Sequence, residues 1–208
     1  MAEPEYRVSE EPLGALLRDV QSGAIQAPEF QRSVALRDDW VRMLLASVSL
    51  GYPIGALMLL DAGHPGYRFG TRPVDGAAQP HRAPRRLLVD GQHRVSALFQ
   101  ALLSAEGVTI STGGELSRRW YYFDASKVAA GADRDDAVVS LPADRAPEPR
   151  LVPFAGALGA DADPLLAAFA QYPVPVIHLP KEATRWTIRV RGGADGPALS
   201  EAFRLGDG

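Results

Sequence analysis

Leu87-Leu88-Val89-Asp90-Gly91-Gln92-His93-Arg94-Val95-Ser96-Ala97-Leu98 reads as three consecutive events. The apolar run ending in Val89 fits a buried strand. Asp90-Gly91 then forces a tight turn, because glycine accepts backbone angles that other residues avoid. From Gln92 onward, Val95, Leu98, Phe99 and Leu102 recur at helical spacing, so a helix starts here. Such a joint leaves backbone N–H groups unpaired at the helix start, and with the helix dipole they favour an anion. Arg94 and His93 are placed to add donors to a phosphate, Arg with its bidentate fork. Asp90 can either cap the helix or help to hold a divalent metal bound to that phosphate.

Composition narrows the classes. The chain has 208 residues, 46% hydrophobic and 23% charged, as in an ordinary globular protein with one good core. No apolar run reaches membrane-spanning length, and Met1-Ala2-Glu3-Pro4-Glu5 lacks the features of a signal peptide, so a cytoplasmic location with no membrane partner is expected. Without cysteine there is no disulfide, thiolate nucleophile or thiolate metal ligand. His64, His81, His93 and His178 show no paired metal-ligand spacing. The net charge of −3 excludes a general polycation, so any nucleic-acid contact comes from a local patch. Arginine outnumbers lysine, which occurs only at Lys127 and Lys181.

Outward from the turn, the spacing predicts a short strand at Tyr6-Arg7-Val8 and a helix capped by Ser9. That helix carries Leu13, Leu16, Leu17 and Val20 on one face and stops at Gly23. Residues 25–37 read as a connection. A second helix follows Asp38-Asp39, with Trp40, Val41, Leu44, Leu45 and Val48, and ends at Gly51-Tyr52-Pro53. Ile54 to Leu60 reads as a buried strand, and Asp61 to Arg85 as a long exposed loop. Beyond the central helix, Gly113-Gly114 marks a turn. Arg118 to Asp124 and Val138 to Leu141 are strand-like, with a loop from Ala129 to Asp136 between them. Pro142 to Pro153 is too proline-rich for a central element. A short helix through Leu165, Leu166 and Phe169 precedes a strand from Tyr172 to Leu179, whose prolines favour an edge or a strand start. Gly192-Gly193 suggests a turn and Ala198 to Leu205 a terminal helix. The mixture of helices and strands predicts an α+β domain, a small mixed sheet flanked by helices, with residues 1–208 forming one domain.

Phe30-Gln31-Arg32, Gly51-Tyr52-Pro53-Ile54-Gly55 and Asp90-Gly91-Gln92-His93-Arg94, with Trp40 opening the intervening helix, occur in that order. In order and spacing they resemble the N-terminal domain of GmrSD- and SspE-type modification-dependent restriction proteins, within the ParB/sulfiredoxin-like superfamily. That family shows Pro-x-Phe-Gln-Arg, a Trp-led helix, Gly-x-Pro-Ile-Gly and Asp-Gly-Gln-Gln-Arg; His93 here replaces the second Gln. The resemblance is good over residues 5–125 and weaker over 126–208. There Arg189-Val190-Arg191, Gly193 and Leu199-Ser200 only partly fit the family pattern, with Arg191 where Asn is expected. Sulfiredoxin-like proteins carry a Cys at the position of Gln92, so a thiol-dependent reductase is excluded.

The resemblance implies a sensor domain that binds and hydrolyses a nucleoside triphosphate, GTP or another NTP, with Mg²⁺. Its activity would be coupled to modified double-stranded DNA, foremost phosphorothioate DNA, in antiphage restriction. It implies Asp90, Gln92, His93 and Arg94 in catalysis, with Asp90 also at the metal. Gly91, Arg94, Gln31 and Arg32 would bind nucleotide, and Phe30, Gln31, Arg32 and Tyr52 would face DNA. No His-Asn-His arrangement is present, so DNA cleavage is expected from a nuclease domain or subunit elsewhere; a homo-oligomer is compatible with the pattern. The rival readings are a module that reads DNA modification or regulates transcription without turnover, as in DndB-type proteins with the same Asp-Gly-Gln-His-Arg run, and an interaction scaffold.

Overall fold

The computed structural model describes residues 6–63 and 70–179. In chain order these give β1 (Arg7–Pro12), α1 (Leu13–Gln21), β2 (Ile25–Pro28), α2 (Asp38–Ser49) and β3 (Leu57–Asp61). Next come β4 (Thr71–Arg72), β5 (Arg86–Asp90), α3 (Gln92–Leu102), β6 (Val108–Thr112) and β7 (Glu115–Asp124). The described part ends with α4 (Ala125–Ala129), α5 (Arg134–Ala137), β8 (Val138–Pro142), β9 (Leu151–Pro153), α6 (Ala167–Gln171) and β10 (Pro173–Leu179). The α+β class with a mixed sheet is therefore the observed one.

Among the described residues, six strands form one sheet in the order β1-β10-β3-β5-β2-β4. β10 is parallel to β3 and β5 to β2, whereas β3 and β5 are antiparallel. A second sheet runs β6-β7-β8, with β9 also pairing with β7. One apolar core joins the two sheets. It takes Leu13, Leu16, Leu17 and Val20 from α1, Val41, Leu44, Leu45 and Val48 from α2, and Val95, Leu98, Phe99 and Leu102 from α3. These are the positions that the helical spacing picked out. Each such Leu contributes roughly 1.5–3 kcal/mol when removed from water.

Several local expectations change. Ser9 does not cap α1: β1 runs on to Pro12 because Arg7 to Pro12 pair with β10, and the Ser9 hydroxyl is hydrogen-bonded to His178 Nε2 at 2.7 Å. Residues 25–37 are not all connection. Ile25–Pro28 is wholly buried, with Gln26 Nε2 donating to the Gly23 and Arg82 carbonyls. The segment after Asp61 is not simply an exposed loop, since it holds β4 and the fully buried Val74. β3 starts at Leu57 rather than Ile54. The Ala129–Asp136 stretch ends one helix, α4, and begins another, α5.

β6 was not legible in advance. β10 is an interior strand, yet its prolines obey the strand-start rule. Pro173 and Pro175 face only β1, and pairing with β3 begins at Val176, where the backbone donates again. The features expected at Arg189 to Arg191, Gly192-Gly193 and Ala198 to Leu205 lie outside the described residues.

Candidate functional site

At the end of β5 the chain turns through Gly91, whose φ of 93° is left-handed. A Cβ there would come within 2.3 Å of Leu57 Cδ2 on the neighbouring strand β3. Glycine thus permits both the turn and the close packing of β5 on β3. Gly91 is the N-cap of α3, which has no side-chain cap hydrogen bond. Asp90 lies one residue too early to cap, so of its two readings from sequence the capping one is not realised. Its side chain stands 68% exposed.

Arg94, in the first turn of α3, is held on two sides. Nη1 donates to the Ile54 carbonyl at 3.0 Å, and Nη2 donates to Asp90 Oδ2 at 3.2 Å. Gly55 makes room for it: with φ of 87°, a Cβ at this residue would stand 2.7 Å from Arg94 Nη1. The Gly-Tyr-Pro-Ile-Gly stretch and the Asp90–Arg94 turn are therefore one construction. The guanidinium is oriented but not sealed, since its side chain keeps 19% exposure and lines an open cleft.

Gln31 completes the assembly by donating from Nε2 to the Val89 carbonyl at 2.7 Å. This fixes β5 one residue before its end at Asp90. Gln31 Oε1 is buried with no hydrogen-bond partner among the described residues. The three separated stretches singled out from sequence thus meet at a single turn.

The cleft they border has a volume of about 700 Å³, within the range that holds a small-molecule ligand. One wall is polar, formed by Gln31 and the run Val89 to Arg94; the other is mostly apolar, formed by Trp40, Met43, Leu44, Ser47, Pro53 and Ile54. His93 is exposed at the polar side and meets the Trp40 ring edge-on, with centroids 6.5 Å apart. Gln92 is turned inward, its Nε2 donating to Asp75 Oδ2 at 3.3 Å. Arg32, Phe30 and Tyr52 fall outside the cleft lining. Arg32 is exposed, and its side chain forms no ion pair among the described residues. Phe30 and Tyr52 are 42% and 58% exposed.

Sequence reasoning missed Arg72 and Asp75, an ion pair at 2.8 Å. Arg72 Nε and Nη2 donate to the Gln31 and Arg32 carbonyls, so the pair shapes the Phe30–Arg32 loop. The available signal was an Arg and an Asp three residues apart, flanking the apolar Val74 within an otherwise polar segment. Asp90 is the only carboxylate in the cleft lining among the described residues. Among the described residues no group of three or more His, Asp or Glu side chains is placed to hold a metal ion, and no helix is long and apolar enough to cross a membrane.

An α+β domain with a polar strand–turn–helix joint beside a cleft is the class that fold and site define. The model of the family described as "GmrSD restriction endonuclease, N-terminal domain" matches residues 13–150, and the chain belongs to that family. This makes it a domain type of restriction systems. It is also 27% identical over 134 residues to an uncharacterized protein of Methanocaldococcus jannaschii. That match covers 62% of this chain and 22% of the relative, so the chain spans about a fifth of that relative's length.

Proposed function

We propose that the cleft binds a nucleoside triphosphate, with its polyphosphate at the start of α3, and that the chain hydrolyses it in response to modified DNA, phosphorothioate DNA foremost. One observation supports this best: Gln31, Ile54 and Gly55 all converge on the Asp90–Arg94 turn, fixing a guanidinium beside uncapped helix amides at an open cleft. Arg94 neutralises phosphate charge, and the first amides of α3 add donors. Phosphoryl transfer asks chiefly for such positioning and charge stabilisation. His93 orients water from the rim, and Gln92 does so once turned from Asp75.

One exposed carboxylate suits Mg²⁺, which is commonly held by one or two carboxylates together with substrate phosphates. Asp90 would hold it, and the ion would neutralise charge on the phosphates. Phe30, Arg32 and Tyr52, outside the cleft, would face DNA. The nuclease activity would reside in another domain or subunit. A second reading, DNA-responsive binding without turnover, is favoured by the single carboxylate that the described residues bring to the lining.

The test is NTP hydrolysis by the purified chain, with and without phosphorothioate DNA, for the native protein and Arg94→Ala. DNA-stimulated turnover lost in Arg94→Ala is the expected result. Selective DNA binding without turnover in the native protein would establish the second reading instead.

A further inference from the structure

Asp75 lies outside the cleft lining, yet its carboxylate serves three donors from three parts of the chain. Oδ1 accepts from Arg72 Nη1 at 2.8 Å. Oδ2 accepts from the Val34 amide at 2.7 Å and from Gln92 Nε2 at 3.3 Å. Its backbone carbonyl accepts from Gln100 Nε2 at 3.3 Å, which ties the same residue to the body of α3. Arg72 in turn donates to the carbonyls of Gln31 and Arg32 at 3.1 and 2.9 Å. The Phe30–Val34 loop is thus gripped at three backbone atoms by one ion pair, and that pair also holds the first residue of the helix at the nucleotide site.

We propose that Asp75 is a positioning residue that couples this loop to the Asp90–Arg94 turn. The inference rests on the nucleotide reading above. Both members of the Arg72–Asp75 pair are about one-fifth exposed, so solvent screens the pair less than a surface pair. At 3.3 Å the Gln92 bond is the longest to the carboxylate and the first to give way when the loop moves. A ligand that shifts Gln92 therefore changes the hold on Val34 and, through Arg72, on Gln31 and Arg32. By linkage, a macromolecule seated on the loop alters nucleotide affinity by the same factor.

Asp75→Asn is the discriminating change. An Asn side chain offers one oxygen and one amino group, so it cannot accept from both sides, and either Arg72 or the Val34 amide, neither of which can accept, meets a donor. The experiment follows hydrogen exchange of the Gln31–Val34 amides, with and without Mg²⁺ plus an equimolar mixture of ATP, GTP, CTP and UTP. In the native chain nucleotide draws Gln92 away and leaves Oδ2 to the Val34 amide alone, so exchange should slow on the order of tenfold, a typical coupling factor. In Asp75→Asn nucleotide should still bind while that difference disappears. A purely structural role would instead raise exchange in both states and keep their ratio.

Arg72→Lys, which keeps the charge opposite Asp75 but loses the fork on the two carbonyls, carries the same test if Asp75→Asn does not fold. Binding to the native chain with no change in loop exchange overturns the coupling, as does full protection in either folded variant. Failure of the native chain to bind any of the four nucleotides overturns the functional reading itself and the coupling with it.

Discussion

Strands β5 and β7 each end in an aspartate close before a helix, and the two aspartates have opposite fates. Asp124, at the end of β7, is 3% exposed. It accepts from the Ser126 and Lys127 amides, the Ser126 hydroxyl and Arg150 Nε. Asp90, at the end of β5, caps nothing, and Arg94 is its one ion-pair partner among the described residues. The residue after each Asp explains the difference. Ala125 continues directly into α4, so Asp124 is itself the N-cap. Gly91 inserts a left-handed step, takes the N-cap position and leaves Asp90 one residue outside the helix. Near-identical local patterns thus yield a closed structural cap in one sheet and a helix start with no side-chain cap in the other.

The largest separation between the two sites should come from their arginines. Arg94→Ala removes a charged donor from the proposed phosphate site. Hydrogen bonds to charged groups contribute about 1.5–3 kcal/mol, so nucleotide affinity should fall by roughly ten- to a hundredfold, read by calorimetric titration. Arg150→Ala should leave that affinity unchanged and only lower the melting temperature. Equal effects of the two variants on nucleotide affinity would erase the contrast.

Gly91→Ala ranks next. A left-handed backbone costs a side-chain-bearing residue about 1–2 kcal/mol, and the added Cβ also strikes Leu57 on β3. The variant should melt earlier and bind nucleotide less well, whereas Ala125→Gly, at the matching place beside Asp124, should leave nucleotide binding alone. Chemical denaturation and titration of the same samples read both effects.

How far the sequence foretold this arrangement depends on how local each feature is. The β5–α3 joint was legible because a short apolar run, Asp-Gly and helical spacing lie within sixteen consecutive residues, Leu87 to Leu102. The buried strand β2 was not, because Ile25-Gln26-Ala27-Pro28 is too short to show a period and its one polar side chain is buried, satisfied by the Gly23 and Arg82 carbonyls. Asp75 was illegible for a related reason. Its donors Val34 and Gln92 lie 41 and 17 residues away, and no periodicity marks a hub held by distant partners. The motifs named most of the polar wall of the cleft, but they did not show that Gln31 grips the Val89 carbonyl rather than standing free.

Asp124 also gives the comparison a signature in acid. The Ser126 hydroxyl leads the groups that hold its carboxyl down to about 2, aided by the Lys127 amide and Arg150 and opposed by burial. The folded value lies below the ordinary 3.8. Its stabilisation is therefore complete above the unfolded value and lost as pH falls from there through about 2. Melting temperatures measured down to pH 2 should fall less steeply for Asp124→Asn than for the native chain. Parallel acid limbs would show that the cap contributes nothing to the pH dependence.

The smallest effect expected lies inside α3 itself. Ser96 is fully buried, and its hydroxyl has no hydrogen-bond partner among the described residues. Ser96→Ala removes that unpaired group and substitutes a better helix former, so stability should rise by about 0.5–1 kcal/mol. Nucleotide affinity should not change, because the side chain is buried in the core and lies outside the cleft lining. A loss of stability would mean that the hydroxyl turns back onto the carbonyl of Gln92, four residues earlier, as serines in helices can. In that case the first turn of α3 would have an internal support that the helix after Asp124 does not need, and the contrast between the two helix starts would extend one turn further into the core.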